Sequence, residues 1–386
     1  MPGDSTLPYP SCISEKASPS FPEMFPEPKL GTVNDTCLKK ILFWNDDHSH
    51  KHFGFGFGHE PFLVAGCRVN MCTTTGDRTR YPIEKVDALV WHYRSIDRSL
   101  PEYRSPHTYI FWMMESPSYL YGDLRDYHNV FNWTFTYRLD SDIPQPYDRV
   151  FRRHKPLPTT KRNYAEGKTK LAAWFVSHCD TESGRNRLVK TLQRRVTVDI
   201  YGNCGSLKCT KTTERSCYEM LNMTYKFYLS FENSLCRDYI TEKLFNILRL
   251  DVVPVVFGLG NYSAHAPPHS YIDALNFPSV NALADYLIYL HHNDTAYNEY
   301  FRWKRFHQQF DNWALVSQQY CALCEMLHSD APAKIYNLHK WYMEDGQCKT
   351  RDSPDISTFI NNGHRNTSFY TNWCIIGYVI LKHLLK

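Results

Sequence analysis

The sequence predicts an α/β fold of two Rossmann-like domains facing a central cleft, and three observations carry that expectation. Apolar runs of strand length recur along the 386 residues, and runs with helical spacing alternate with them in the second half. A polar, Pro- and Lys-rich stretch separates the halves. Strand and helix in alternation signal a parallel sheet covered by helices, and the length suits two domains of about 150 residues each.

Taken in order, residues 1–36 form a Pro-rich N-terminal segment, and 37–155 an N-terminal Rossmann-like domain with strands expected at 41–44, 86–91, 109–112 and 131–137. Residues 156–168 (PLPTTKRNYAEGK) read as an interdomain linker. The C-terminal domain, 169–328, starts with a buried-strand run at 171–177. A helix at 185–195 follows, with Leu188, Leu192 and Val196 in register, then a strand at 196–201 closed by Gly202. A strand at 225–231, a helix at 238–250 carrying Ile240, Leu244, Ile247 and Leu248 on one face, and a strand at 252–257 repeat the pattern. From residue 280 the chain reads as helices, marked by Leu283, Leu287 and Leu290, by the stretch 298–307, and by 313–327 with Cys321 and Cys324. Residues 329–386 form a C-terminal tail whose apolar run at 373–381 is short of the roughly 20 residues of a spanning helix and reads as a docked strand or helix.

Composition narrows the function. A hydrophobic fraction of 42% with 22% charged residues excludes a disordered or fibrous chain. The net charge of +4 is small and evenly spread, so no nucleic-acid partner is expected. Thirteen cysteines and six Asn-x-Ser/Thr sequons, at Asn34, Asn132, Asn222, Asn261, Asn293 and Asn366, agree on an oxidising secretory lumen. No signal peptide or membrane anchor is visible near the N-terminus. The 58 aromatic residues suit a protein that handles flat or polar ligands.

The most informative stretch is 225–273, where a strand ends in Phe231-Glu232-Asn233-Ser234 and a helix begins near Asp238 with Tyr239, Glu242 and Lys243 in its first turns. A helix start offers unpaired N–H groups and partial positive charge, Lys243 adds a full charge, and Asn233 suits a ribose or phosphate edge. On these residues alone, a nucleotide diphosphate site and a solvated helix face are equal readings. Glu115 directly follows the apolar run at 109–114, at a strand's carboxyl end, where ligands of such sheets bind.

This stretch closely resembles the donor-binding signature of the α1,3-fucosyltransferases, glycosyltransferase family 10. The elements FENS, DYITEK, VPVV and APPxSYI stand in the family's order, and WFVS (174–177), YRLDSDI (137–143), YFRWK (300–304) and FWMMESP (111–117) extend the likeness over about 41–327. The resemblance implies a GT-B scaffold. The implied reaction moves fucose from GDP-β-L-fucose, with inversion, to the 3-hydroxyl of a GlcNAc in a glycan. It further implies a GDP-fucose site of Arg185, Asn233, Tyr239, Glu242 and Lys243, with Arg185 and Lys243 neutralising the diphosphate, and Glu115 as general base. No cofactor or metal is expected. The expected partners are GDP-fucose and a GlcNAc-containing acceptor, and the expected compartment is the Golgi lumen or membrane. Core GlcNAc, LacNAc and LacdiNAc remain open as acceptors. The competing reading is a glycan-binding pseudoenzyme on the same fold, against which Glu115, Arg185 and Lys243 argue. His178 departs from the family, which usually has Asn there.

Weaker motifs have blander explanations. Asp140-Ser141-Asp142 looks like a metal-binding DxD but is expected to be structural or acceptor-side. Gly54-Phe-Gly-Phe-Gly58 is expected to be a flexible loop, and His48, His50, His52 and His59 a polar one. Cys321 and Cys324 are expected to form a short disulfide, and Cys204 and Cys236 are placed to bridge and brace the donor domain.

Overall fold

The structure, a computed structural model, describes residues 35–45, 53–95, 97–101, 108–159, 161–209, 213–309, 312–330, 332 and 334–361. The histidines at 48, 50 and 52, the Pro-rich lead and the apolar run at 373–381 lie outside these residues. The chain divides into two compact units, and each is woven from three stretches.

The first unit takes the residues up to Met113, Tyr127–Phe135 and Asn312–Tyr336. Strands β1 (Lys39–Phe43), β2 (Cys72–Thr75), β3 (Ala88–His92), β4 (Thr108–Met113) and β5 (Trp133–Thr136) lie in the order β2-β1-β3-β4-β5. The pairs of β1 with β2, β1 with β3, and β3 with β4 are parallel. Strands β3 and β4 read as nearly continuous apolar runs because both faces of a parallel sheet are covered, and β3 is buried along its length. Helix α1 (Glu60–Val64) and helix α7 (Asn312–Leu327) also belong to this unit.

The glycine-rich run at 54–58 is a packed turn rather than the flexible loop expected. Gly54, Gly56 and Gly58 adopt positive φ, which frees the intervening rings to turn inward. Phe55 stacks on Tyr320 of α7 at 4.5 Å, and Phe53 stacks on Phe43 at 4.7 Å. The Cys321–Cys324 disulfide is also corrected. Both residues lie on α7, and they bridge outward to Cys67 and Cys72 respectively.

The second unit takes Met114–Asp126, Thr136–Asp311 and the residues from Asn337 on. Strands β8 (Lys170–Phe175), β9 (Val198–Tyr201), β10 (Tyr225–Phe231), β11 (Val253–Phe257) and β12 (Ile272–Asp273) form a parallel sheet in the order β12-β11-β10-β8-β9. Its helices are α2 (Arg185–Leu192), α3 (Glu214–Thr224), α4 (Glu242–Leu248), α5 (Val280–His292), α6 (Asp294–Glu299) and α8 (Pro354–Asn361). Leu188 and Leu192 of α2 and Leu283 and Leu287 of α5 bury into one core with Phe227, Leu229 and Val255 of the sheet. Such burial, at about 25 cal/mol per Å², is the main term holding the unit together.

Helix α4 begins at Glu242, four residues later than its apolar pattern predicts, because Asp238 takes a left-handed φ of 61° and Thr241 caps the helix. The stretch 298–307 is not one helix. Helix α6 ends at Glu299, a 3-10 turn covers Arg302–Arg305, and strand β13 (His307–Gln309) pairs antiparallel with β7 (Val150–Arg152). The two-residue strand β6 (Ile143–Pro144) precedes β7.

The residues 156–168 do not divide the chain; they lie inside the second unit. Their Pro and Lys content suits a linker, yet Tyr164 stacks on Phe301 at 4.3 Å. The Lys168 ammonium is likewise buried against the carbonyl oxygens of Asn222 and Tyr225.

Candidate active site

The site is built on the carboxyl ends of β10 and β8, where parallel sheets of this kind bind ligands. Two loops that carry sequence motifs are stitched together there. Ser116, next to Glu115, donates from its hydroxyl to Ser234, next to Asn233, at 2.6 Å, and both side chains are fully buried. The loop before α4 is pinned by the Cys236–Cys348 disulfide and by backbone bonds from Lys349 N to Leu235 O (2.7 Å) and Arg237 N to Gly346 O (2.9 Å). The expected bridge of Cys204 with Cys236 does not form; Cys204 pairs with Cys179.

Glu115 is half-buried, and its Oε2 accepts a hydrogen bond from the Tyr239 hydroxyl at 3.0 Å. Its backbone carbonyl accepts from the Tyr342 hydroxyl. The preceding carbonyl, of Met114, accepts from Tyr147 at 2.8 Å. Tyr239 packs edge-on against Tyr137 at 5.1 Å and Tyr147 at 6.3 Å. Burial pushes the hydroxyls of Tyr147, Tyr239 and Tyr342 well above the usual phenol range, and they stay protonated. Of these neutral donors Tyr239 reaches the Glu115 carboxylate, while Tyr342 and Tyr147 hold the backbone on either side of its Cα. Tyr239, expected on the donor, gives its hydroxyl hydrogen to Glu115 in this structure.

Arg185 opens α2 and is 4% exposed. Its guanidinium donates to Phe231 O at the end of β10 and to His178 O, both at 2.9 Å, and lies 5.7 Å over the Trp174 ring. The second bond is made by the backbone of residue 178, so the departure to His leaves it intact. Burial lowers the Arg185 pKa, while Glu232 and Tyr119 oppose the shift. Tyr119 lies beside Asn233, and burial raises the Tyr119 pKa while the Arg185 charge and the Asn233 side chain oppose the rise. Among the described residues, the Arg185 Nε and the Asn233 Oδ1 are buried without a hydrogen-bond partner. Buried polar atoms are seldom left so, and both point to a polar ligand.

Lys243 sits 3.1 Å from Glu242 and 3.3 Å from Glu232, and donates to the Thr241 hydroxyl at 2.8 Å. Glu232, 1% exposed, also accepts from the Thr241 N–H at 2.9 Å. Burial raises the Glu232 pKa, and the Lys243 ammonium opposes that shift. Desolvation works against the charged Lys243, but the two carboxylates hold its pKa above the usual lysine range. Glu242 remains about half exposed, and Lys243 overcomes its desolvation to pull its pKa down. The predicted residues Glu115, Arg185, Asn233, Tyr239, Glu242 and Lys243 therefore all lie in one unit. Among them Tyr239 bonds Glu115 and Lys243 pairs with Glu242, while Arg185 and Lys243 are near enough to repel as like charges. Sequence reasoning missed Glu232, although it stands inside the FENS element; its signal was a carboxylate at a strand end with Lys243 eleven positions on. It also missed Tyr342, which lies in the tail.

Asp140 is held by both arms of Arg138, at 2.9 and 2.6 Å, and by Arg237 at 3.4 Å. Two guanidinium groups thus stand against its carboxylate. The His/Cys/acid cluster found among the described residues is Cys72, Cys324 and His328, and those two cysteines are bridged to each other.

Asp273 ends β12, and burial pushes its pKa up to about 6 from 3.8. The fold favours its neutral form, so its contribution is fully present below about pH 4 and is lost as pH rises through about 6. Asp273→Asn keeps the acceptor for Leu275 N–H at 3.0 Å. It is expected to raise the melting temperature near pH 7, with the gain shrinking toward pH 4. An equal gain at both pH values would refute this.

Two family models match the chain: "Fucosyltransferase, N-terminal" over residues 37–148, and "Glycosyltransferase family 10 (fucosyltransferase) C-term" over 165–341. The second reaches past 328, so the resemblance extends into the tail and takes in Trp341. The chain is 39% identical over 312 residues to Alpha-(1,3)-fucosyltransferase C of Drosophila melanogaster, covering 74% of this chain and 72% of that protein. It is 36% identical over 330 residues to Glycoprotein 3-alpha-L-fucosyltransferase A of the same fly, covering 81% of this chain and 62%, less than two thirds, of that one. A solved structure, "Crystal Structure of alpha1,3-Fucosyltransferase with GDP-fucose", shares the fold with a TM-score of 0.51 at 15% identity, covering 84% of this chain and 96% of that one.

Proposed function

The chain belongs to glycosyltransferase family 10, the fucosyltransferases, and from that premise we propose that it transfers L-fucose from GDP-β-L-fucose to the 3-hydroxyl of a GlcNAc residue, with inversion. The observation that carries the reading is the Tyr239–Glu115 hydrogen bond. It fixes a carboxylate beside the motif loops that bring Arg185, Asn233 and Lys243 together. Inversion by single displacement needs one base to take the proton of the attacking hydroxyl as the anomeric C–O bond to GDP breaks on the opposite face. Glu115 is that base. GDP leaves as an anion, and Lys243 and Arg185 stabilise the charge that develops on it, replacing the general acid a glycosidase requires. Asn233 and Glu242 engage the polar edges of the donor.

The reaction needs no metal in this reading, since the site's cations are its own side chains. EDTA is expected to leave turnover of GDP-fucose essentially unchanged; complete loss restored by Mn²⁺ would refute that and return attention to Asp140 and Asp142. The compartment is the Golgi lumen or membrane, supported by the five disulfides among the described residues. The test of function is GDP-fucose turnover against LacNAc, LacdiNAc and the chitobiose core of N-glycans. Transfer to one of these is expected, and no transfer to any would overturn the reading.

A further inference from the structure

The second unit holds a cavity of about 420 Å³ that the site above does not use. Tyr218 and Asn222 of α3 form one wall, and Asn246, Arg249 and Leu250 form another, at α4 and the turn after it. Its size falls within the roughly 300–1,000 Å³ of small-ligand sites, and its lining residues are mostly polar, since Arg215 and Glu219 of α3 also face it, which suits a sugar more than an apolar ligand.

Asn222 is also the first residue of a sequon, Asn222-Met223-Thr224. Four sequons start within the described residues, and their asparagines are spent differently. Asn132 donates from Nδ2 to Lys334 O at 3.1 Å, and its Thr134 is fully buried. Asn293 caps α6 and donates from Nδ2 to the Tyr289 hydroxyl at 3.2 Å. Asn261 is exposed and accepts from the Ser263 hydroxyl at 2.9 Å, but it does not line this cavity. Asn222 accepts at Oδ1 from Asp251 N–H at 2.6 Å, while its Nδ2 makes no hydrogen bond among the described residues. Its neighbour Met223 is 72% exposed, so the segment reaches the surface.

We propose that Asn222 carries an N-linked glycan whose first sugars are seated in this cavity. The donor is a lipid-pyrophosphate-linked oligosaccharide of the secretory pathway. A bond forms between Nδ2 and the anomeric carbon of GlcNAc as that carbon's bond to the pyrophosphate oxygen breaks. One amide proton leaves, the lipid pyrophosphate departs as an anion, and Nδ2 keeps one hydrogen. The bond from Asp251 to Oδ1 survives, so the modification costs the fold no hydrogen bond. The Tyr218 ring then offers a flat wall to a sugar face, and the Asn246 amide, whose Nδ2 also donates to the Tyr218 hydroxyl at 3.3 Å, has a second N–H for a sugar hydroxyl.

The test uses the full chain expressed in eukaryotic cells and does not depend on transferase activity. Peptide N-glycosidase in heavy-oxygen water converts a glycosylated Asn to a labelled Asp, and peptide mass spectrometry reads the Asn222 site. After denaturation the site is expected to be labelled. From the native chain, release is expected to be about 10-fold slower or more, because local opening must come first. In Tyr218→Ala, which removes the aromatic wall, native release is expected to be fast; should that variant fail to fold, Leu250→Ala opens the same cavity. An unlabelled Asn222 in the denatured chain would overturn the modification. Equal release from native and denatured chains, or slow release persisting in the opened variant, would overturn the seating.

Discussion

Glu115→Gln is expected to lower kcat for fucosyl transfer about 10²–10⁴-fold, the range for loss of a positioned general base. Affinity for GDP should stay close to that of the wild type. The substitution keeps the size of the side chain and an acceptor oxygen for the Tyr239 hydroxyl, so the fold and the motif loops have no reason to move. What is lost is the negative charge and the ability to take a proton. Isothermal titration with GDP beside steady-state transfer to the best acceptor separates the two effects. Transfer by the variant at the wild-type rate would end the assignment. Tyr239→Phe is the companion measurement: it removes the hydroxyl that orients the carboxylate and should act in the same direction by a smaller factor.

The second large effect is expected at Lys243. Lys243→Ala should lower kcat by about 10²–10³-fold, the loss that follows removal of one strong donor to developing charge, and should weaken GDP binding. It has a structural cost as well. Glu232 is 1% exposed, and Lys243 is the cation beside it at 3.3 Å. Breaking such a pair by deleting one partner costs about 3–5 kcal/mol, since a buried charge is left uncompensated. The double variant Lys243→Ala/Glu232→Gln separates the roles, because it removes both charges of the pair. Its melting temperature should recover toward that of the wild type while transfer stays low. Recovery of transfer together with stability would mean that Lys243 acts only by holding Glu232.

The parts of this molecule that follow from local pattern were legible in the sequence. Strand β10 matches its predicted bounds because seven successive buried residues leave no ambiguity of period. Helix α4 was legible from the face made by Leu244, Ile247 and Leu248, but its start was not, since a left-handed residue at Asp238 decides where the backbone turns. Helix α3 was missed because its sequence, ERSCYEMLNMT, buries only Cys217 and Leu221 and has little apolar face to detect. In the site, Glu115, Arg185, Asn233, Glu242 and Lys243 sat in recognisable motifs. Glu232 was overlooked because its partners, Thr241 and Lys243, lie nine and eleven residues on and meet it only through the turn before α4. Tyr342 and Cys348 could not be found from pattern, since their partners Glu115 and Cys236 lie 227 and 112 residues away.

The weave of the first unit has a consequence for biosynthesis. Cys67 and Cys72 meet partners 254 and 252 residues further along the chain. At about 5–20 residues per second, these thiols are translated on the order of 10–50 s before Cys321 and Cys324. During that interval Cys179, Cys204, Cys209 and Cys217 emerge, which close on one another across 25 and 8 residues. The nascent chain therefore passes through a period in which the wrong thiols are the near ones. Its yield should depend on a disulfide isomerase more steeply than that of a protein whose bridges close in order of synthesis.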